Sequence, residues 1–296
     1  MSKKKNILIT GGSGYIGRNL QEHLKNKYIV YAPSRKQLDL LDAKATNKYF
    51  RAHQIDVVIH TAVVGGTRKS KHIQDSIYQN LRMFINTINN KDYFKKMINL
   101  GSGAEYDKVK PIINVKESDF DKKIPIDDYG FYKYVCSKYI ENSDKVINLR
   151  IFGLFGKYEN YGIRFISNAI CRSLLKLPIT INKNVFFDYV SIEDFSKLIE
   201  YFIENPSKEK FYNIGRGQKI DLITIAKKIN KIAPNKVKII VKKRGLDNEY
   251  TCNNSRLIKE LKNFQFEKFD VSLVRLYNWY MKTLNTLNKN KILQEE

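Results

Sequence analysis

Asn6-Ile7-Leu8-Ile9-Thr10-Gly11-Gly12-Ser13-Gly14-Tyr15-Ile16-Gly17 is the stretch from which the fold is read. Its first half is a short apolar run rich in isoleucine, which predicts a buried strand. A glycine-rich turn follows, and a helix pattern opens at about Gly14. The glycines satisfy two spacings at once: G-x-x-G-x-x-G through Gly11, Gly14 and Gly17, and G-x-G-x-x-G through Gly12, Gly14 and Gly17. Such a chain turns sharply, lets a pyrophosphate approach its backbone, and packs a helix close to a strand. The helix N-terminus then offers free N–H groups and the positive end of its dipole to the phosphates. Gly11 to Gly17, with Ser13, Tyr15 and Ile16 between the glycines, are therefore expected to hold a dinucleotide. The alternative is a bare tight turn.

Further along, strand and helix signals alternate. Residues 28–32 predict a second strand, 43–52 a helix, 56–62 a strand with His60 packed inside it, and 72–91 a helix. Residues 96–101 predict a strand with Ser102 at its tip, a helix opens at Asp127 and Asp128, and 145–151 predict another strand. This alternation argues for a parallel sheet with helices on both faces. Past Gly156 the pattern loosens. Helices are expected over 160–176, 193–203, 221–232, 254–262 and 270–288, and strands over 185–190 and 211–214. The tail from Asn288 is polar and expected to fray.

The 296 residues suit one large or two modest domains, and 43% hydrophobic content supports a sizeable core. No apolar run approaches the roughly 18 residues of a membrane span, and Lys3-Lys4-Lys5 precedes too short an apolar run for a signal peptide. Cys136, Cys171 and Cys252 are widely spaced and odd in number, which predicts reduced thiols in a cytoplasmic protein and neither a disulfide framework nor a metal site. The net charge of +23 invites a nucleic-acid partner. Its lysines are scattered, however, and no basic block with interleaved aromatics stands out, so anionic small molecules are the expected partners.

The second strand ends in Ala32-Pro33-Ser34-Arg35-Lys36. An NAD site would place an acid there for the ribose 2′-hydroxyl. A hydroxyl and two cations stand there, which favours NADP, although a solvated basic turn reads the same way. Tyr129 and Lys133 lie four apart and share a helix face. A phenol titrates near 10 and is a poor acid–base group at neutrality; a nearby ammonium favours the phenolate. Such a tyrosine can exchange a proton with an alcohol or alkoxide, and Ser102 could hydrogen-bond the same oxygen. Among 19 tyrosines, Tyr106/Lys110 and Tyr134/Lys138 match the spacing too. Position after a strand-tip serine and near a helix start selects Tyr129, with two surface residues as the alternative.

Thr10 to Gly17, Asp39-Leu40, His60-Thr61-Ala62, Ser102, Tyr129-x-x-x-Lys133, Leu149 to Gly156 and Tyr212-Asn213-Ile214-Gly215 together resemble an extended short-chain dehydrogenase/reductase of the NAD-dependent epimerase/dehydratase family. Arg35 to Asp42, Val64-Gly65-Gly66 and Tyr78-Gln79-Asn80 are similar to the GDP-fucose synthase-like nucleotide-sugar epimerases and reductases. The resemblance implies an α/β fold: a Rossmann doubly wound parallel sheet with a smaller, interleaved C-terminal α/β substrate domain. The NADP-binding part would be 1–158 and 184–214, the substrate part 159–183 and 215–288, and 289–296 a frayed tail.

The resemblance also implies roles. Lys133 would hold the nicotinamide ribose and lower the pKa of Tyr129, the acid–base, while Ser102 orients the substrate. Ser34, Arg35, Asp39, Leu40, Thr61, Ala62, Val63, Asn80, Leu100 and Phe152 would line the NADP(H) site, with NAD(H) possible. Val64, Gly65, Ser102, Gly103, Ala104, Arg164, Asn168, Lys183 and Arg216 would face a nucleotide-sugar substrate. Helices 72–91 and 127–143 would form a homodimer.

The departures narrow the activity. GDP-fucose synthases carry a cysteine two residues after the serine and a histidine in a later loop, to epimerise carbons beside the carbonyl; Ala104 and Arg164 stand there. Sugar 4,6-dehydratases carry an Asp-Glu pair after the serine or threonine; Gly103 and Ala104 stand there, with Glu105 one residue later. Val185 stands where relatives have an arginine for the pyrophosphate, leaving Lys183 or Arg216 as its replacement. The expected activity is NADP-dependent reduction of a 4-keto (deoxy) nucleotide sugar for surface-polysaccharide biosynthesis. The alternatives are a 4-epimerase with tightly bound NAD and a non-catalytic NAD(P)-sensing or nucleic-acid-binding member.

Overall fold

The computed structural model describes residues 4–65 and 74–293. The chain runs β1 (Asn6–Thr10), α1 (Tyr15–Leu24), β2 (Ile29–Tyr31), α2 (Ala43–Ala52), β3 (Val57–His60), α3 (Ser76–Ile88), β4 (Lys96–Ser102), β5 (Ile112–Val115), α4 (Asp128–Glu141), β6 (Val146–Ile151) and β7 (Gly153–Phe155). It continues through α5 (Phe165–Leu174), β8 (Ile179–Asn184), β9 (Phe186–Ser191), α6 (Ile192–Glu204), β10 (Phe211–Ile214), β11 (Lys219–Asp221), α7 (Leu222–Ile232), β12 (Ile239–Leu246), β13 (Tyr250–Cys252), α8 (Ser255–Leu261), α9 (Phe269–Lys282) and α10 (Lys289–Leu293).

The central sheet has six strands in the order β10-β6-β4-β3-β1-β2, all parallel. The pleat explains its two coats. Ile7 and Ile9 point to one face, where they join Leu20 and Leu24 of α1 and Phe195, Leu198 and Phe202 of α6. Leu8 points to the other, with Phe50 of α2, Phe84 and Ile88 of α3, and Cys136 and Ile140 of α4. A strand covered on both sides reads as a continuous apolar run, as β1 does. Polar caps fix where two of the helices start: the Asp127 carboxylate accepts from the Gly130 N–H at 3.1 Å to open α4, and the Ser191 hydroxyl accepts from the Asp194 N–H to open α6.

A second core gathers Ile166 and Ile170 of α5, Ile179 and Ile181 of β8, Ile225 and Ile229 of α7, and Leu273 and Tyr280 of α9. Between the two cores runs a mixed sheet in the order β11-β9-β13-β5. Tyr250 of β13 pairs with Ile112 of β5 on one side and Phe187 of β9 on the other.

The structure corrects several expectations. The helix expected over 72–91 spans Ser76–Ile88, with a separate 3-10 turn at Lys91–Tyr93; residues 72 and 73 lie outside the described residues. The helix expected over 160–176 begins at Phe165, because Asn160 to Arg164 closes a turn through the Asn160 carbonyl. The helix expected over 270–288 ends at Lys282. β5, β7, β8, β11, β12 and β13 carry no clear period in the sequence: they are short, or, like β12, lysine-rich and exposed. From residue 289 to 293 the supposedly frayed tail is α10, with Ile292 fully buried in the second core. Its carbonyl accepts from Asn168 Nδ2 and Arg172 Nη1. Residues 294–296 are outside the described set.

Candidate active site

Gly11 ends β1 at φ +69°, the left-handed region that favours glycine. A Cβ there would stand 2.8 Å from Ala62 Cα, and one at Gly17 would stand 2.5 Å from the Gly11 carbonyl oxygen. The glycines thus let the end of β3 and the first turn of α1 close onto the loop. Gly14 precedes α1 without any side chain capping the helix, and Ser13 and Gly14 are exposed. The open first-turn N–H groups make an anion cradle. It lies between β1 and β3, where the strand order turns back, the usual ligand crevice of an open parallel sheet. The donor set fits a pyrophosphate. Thr61 ties the crevice by donating to the Thr10 carbonyl at 2.6 Å. Asn80 is buried and clamps both polar atoms of the Val64 backbone at 2.8 Å, with Gly65 at φ +81° just beyond. Gly66 to Arg68 lie outside the described residues. His60 is packed: Thr10 Oγ1 lies 3.0 Å from its Nδ1, and burial pushes its imidazole down to about 3, so it is neutral.

At the end of β2, Ser34, Arg35 and Lys36 are exposed, while Leu38 and Leu40 are buried beneath them. The Ser34 hydroxyl donates to Gln37 Oε1 at 2.9 Å, and Arg35 faces Asp39 at 3.6 Å. The cationic turn therefore has its own internal partners and leaves Lys36 open.

Ser102 is the last residue of β4 and caps the 3-10 turn Gly103–Tyr106; its Oγ accepts from the Ala104 N–H at 3.1 Å. Glu105 stands behind it, fully buried. One carboxylate oxygen accepts from the Ser102 N–H at 2.9 Å, the other from Arg150 Nε at 2.6 Å. Ser137 and Asn148 donate to the same carboxylate. A buried ion pair persists only where added hydrogen bonds satisfy it, and here they do. Glu105, the one acid near the dehydratase positions, is thus locked into the scaffold. Gly130 brings α4 against this turn, since a Cβ there would lie 2.7 Å from the Ala104 carbonyl oxygen. The first turns of α4 carry Tyr129 and Lys133. Lys133 Nζ donates to the Leu100 carbonyl and lies 5.9 Å from the Tyr129 ring centre; Lys108 Nζ lies 5.5 Å from the same ring. The two competing tyrosines are engaged elsewhere. The Tyr134 hydroxyl donates to Asp121, and the Tyr106 hydroxyl donates to Asn213 at 2.7 Å.

One residue at this centre was missed by the sequence reading. The Tyr250 hydroxyl lies 3.3 Å from Ser102 Oγ, and its ring packs 5.0 Å from that of Phe152. No local signal marks it, because it arrives from 148 residues downstream.

The substrate side is less uniform. Asp188 on β9 is buried and accepts from the backbone N–H groups of Arg216 at 2.7 Å and Gly217 at 2.9 Å. Burial pushes its carboxyl up to about 6. These bonds fix the turn that presents Arg216, whose Nε is buried without a partner among the described residues. Such a donor calls for an acceptor. Val185 is buried in the second core and offers none. Lys183 lies on β8 opposite Lys243 of β12, and Arg164 is exposed at the start of α5. Asn168 is corrected: it is buried, and its amide donates to the carbonyls of Tyr161 and Ile292, so it anchors α10 and presents nothing to a substrate. Ala104 is buried, with only a methyl to offer.

Comparison with known proteins accords with this geometry. The NAD dependent epimerase/dehydratase family matches residues 7–215. A GDP-L-colitose synthase of Yersinia pseudotuberculosis is 28% identical over 254 residues, 76% of this chain and 81% of its own. A dTDP-4-dehydro-6-deoxyglucose reductase of Escherichia coli is 26% identical over 279 residues, 78% of this chain and 84% of its own. The structure of a GDP-L-fucose synthetase from Naegleria fowleri superposes with a TM-score of 0.83 at 17% identity, covering 98% of this chain and 96% of that one.

Proposed function

The chain belongs to the NAD dependent epimerase/dehydratase family, a nicotinamide-dependent group acting on nucleotide sugars, and on that premise we propose that it reduces a 4-keto (deoxy) nucleotide sugar with NADPH. The observation that carries this reading is the meeting of the β4 tip with the first turns of α4. It sets Ser102, Tyr129 and Lys133 two strands from the glycine cradle, and the position two residues after the serine carries only the methyl of Ala104. The bound nicotinamide supplies hydride chemistry. The chain's own residues manage the oxygen. Ser102 donates a hydrogen bond to the substrate carbonyl, and Tyr129 gives it a proton as charge develops there. Lys133 offsets the charge the phenol is left with until solvent returns the proton.

Gly11 to Gly17 hold the pyrophosphate of the cofactor, and Arg35 and Lys36 its 2′-phosphate, since the end of β2 carries no acid. Arg216 takes the diphosphate of the substrate. Inversion beside the carbonyl needs an acid and a base on opposite faces of the carbon. A methyl and a permanently charged guanidinium, Ala104 and Arg164, supply neither. The reductase among the relatives accords with this. The exposed Tyr78, Phe131 and Tyr139 on α3 and α4 suit a homodimer, the free cysteines suit a cytoplasmic setting, and a reduced deoxy nucleotide sugar would feed surface-polysaccharide biosynthesis. No described helix is long and apolar enough to cross a membrane.

The test is a panel of 4-keto nucleotide sugars with NADPH, followed by absorbance and product NMR. Stoichiometric NADPH consumption with a 4-hydroxyl product is expected. Interconversion of a 4-hydroxyl nucleotide sugar and its C4 epimer with no net change in the cofactor, and no NADPH consumed with any 4-keto sugar, would replace the reading with a 4-epimerase.

A further inference from the structure

Two hydroxyls from distant segments, Ser102 and Tyr250, meet at the tip of β4, and the hydrogen bond between them has a direction. A serine hydroxyl has one hydrogen to give and two lone pairs with which to accept. Ser102 Oγ already accepts from the Ala104 N–H at 3.1 Å. The Tyr250 hydroxyl lies 3.3 Å away, and among the described residues Ser102 Oγ is its only hydrogen-bond partner. The ring is half-buried and packs between Phe152 at 5.0 Å and Phe187 at 6.0 Å. Burial drives it well above the ordinary phenol value, so it keeps its hydrogen at every working pH. A neutral phenol is a stronger donor than a serine hydroxyl, and Ser102 Oγ is the one protein acceptor in its reach among the described residues, so the phenol donates there. Ser102 then has both lone pairs filled, and its own hydrogen has nowhere to point but the open crevice.

From this accounting we infer that Tyr250 is a positioning residue that fixes Ser102 as an obligate hydrogen-bond donor toward the reacting oxygen. Resting on the reduction reading above, it gives that site a polarity. A serine that can only donate favours an acceptor, which means a carbonyl or a developing alkoxide. It is mismatched to a substrate hydroxyl that must give up its hydrogen to the serine. Two features of the chain are built around the contact. Gly103 has no side chain where a Cβ would lie 2.7 Å from the Tyr250 oxygen. β13 is held on both sides by β5 and β9, so the phenol cannot swing away without breaking the mixed sheet.

The experiment has two arms. In the first, the whole protein is labelled with tyrosine carrying 13C at Cζ, and the Tyr250 signal is identified by its loss in Tyr250→Phe. Ser102→Ala should move that signal, because it removes the acceptor of the phenol hydrogen. A Tyr250 signal unchanged in Ser102→Ala overturns the inference, and this arm needs no turnover, so it is independent of the identity of the substrate. In the second arm, the four-way cycle of Ser102→Ala and Tyr250→Phe is run on the 4-keto substrate. Phenylalanine keeps the ring packed between Phe152 and Phe187, so NADPH affinity and thermal stability should hold. Tyr250→Phe should lower kcat about tenfold, the scale of one network hydrogen bond, with KM little changed. In the Ser102→Ala background the same substitution should cost almost nothing, because a residue acting through Ser102 has nothing left to act on. An equal loss in both backgrounds means Tyr250 acts on its own or merely packs, and the inference is wrong. A wild type inert toward every 4-keto sugar would remove the reduction reading while leaving the labelled-tyrosine result to decide the hydrogen bond.

Discussion

The two sides of the crevice are built in different ways. The cofactor side is made by consecutive residues: one strand end, one glycine turn and one helix start deliver the anion cradle within Thr10 to Gly17. The proposed catalytic and substrate side is assembled from four segments. It takes Ser102 from β4, Tyr129 and Lys133 from α4, Arg216 from the turn after β10, and Tyr250 from β13. Backbone groups and φ values make the first side, and side-chain hydrogen bonds across the fold make the second. Function on the first side should therefore tolerate side-chain changes, whereas on the second it should hang on single atoms.

The sharpest way to break this contrast is Tyr129→Phe. It removes one oxygen and should lower turnover by about 10²–10⁴-fold, the usual loss of a general acid–base, while NADPH affinity measured by fluorescence titration stays put. Tyr134→Phe and Tyr106→Phe should be far milder toward turnover, since both hydroxyls are bonded away from Ser102; a dead Tyr134→Phe would reassign the acid. Next in size is Arg216→Met. Losing a charged donor to a diphosphate is worth about 10- to 100-fold, and it should appear as a raised KM for the nucleotide sugar with kcat nearly kept. A KM unchanged in this variant would move the diphosphate to Lys183. On the cofactor side, Arg35→Asp should shift the ratio of NADPH to NADH affinity toward NADH by only about fivefold, because Arg35 is exposed and its charge is screened by water. Tighter NADH than NADPH in the wild type would contradict the basis of that choice.

The smallest effect concerns Glu159, buried where α1 meets the second core. It accepts from Ser167 Oγ at 2.7 Å, and burial raises its carboxyl from 4.5 to about 7. The folded state thus binds this proton more tightly than the unfolded chain. That contribution is fully present below about pH 4.5 and is lost as pH rises through about 7. Glutamine keeps the hydrogen bond and never ionises. Glu159→Gln should raise Tm by a few degrees at pH 8 and leave it nearly unchanged at pH 5; a gain at both would place its origin in packing. Glu105 differs from it in its partners. It is just as buried, but Arg150, Ser137, Asn148 and the Ser102 N–H all serve it.

What could be read in the sequence follows the same division. β1, the glycine turn and α2 match the expected ranges closely because their causes are local: an apolar run, three glycines, an Asp42 cap. The six-stranded parallel sheet followed from alternation. The helix that carries Tyr129 and the strand that ends at Ser102 could be placed for the same reason. Tyr250 could not be found, because β13 is three residues long and its strand partners lie far away in sequence. Asn168 was misread as a substrate contact because its real partner, the carbonyl of Ile292, belongs to a segment whose polar composition concealed a buried isoleucine.

The contact between Ser102 and Tyr250 spans 148 residues, which has a consequence for folding. Closing so long a loop carries a larger entropic cost than the contacts between neighbouring strands of the parallel sheet. Among the described residues β5 has no sheet neighbour other than β13, so residues 112–115 also wait for that late strand. A chain whose Rossmann sheet has already formed can bind a dinucleotide through a cradle finished within its first 17 residues. Its serine becomes a one-way donor only when residue 250 arrives. Affinity for the cofactor is therefore expected to mature earlier in refolding than the power to reduce a substrate.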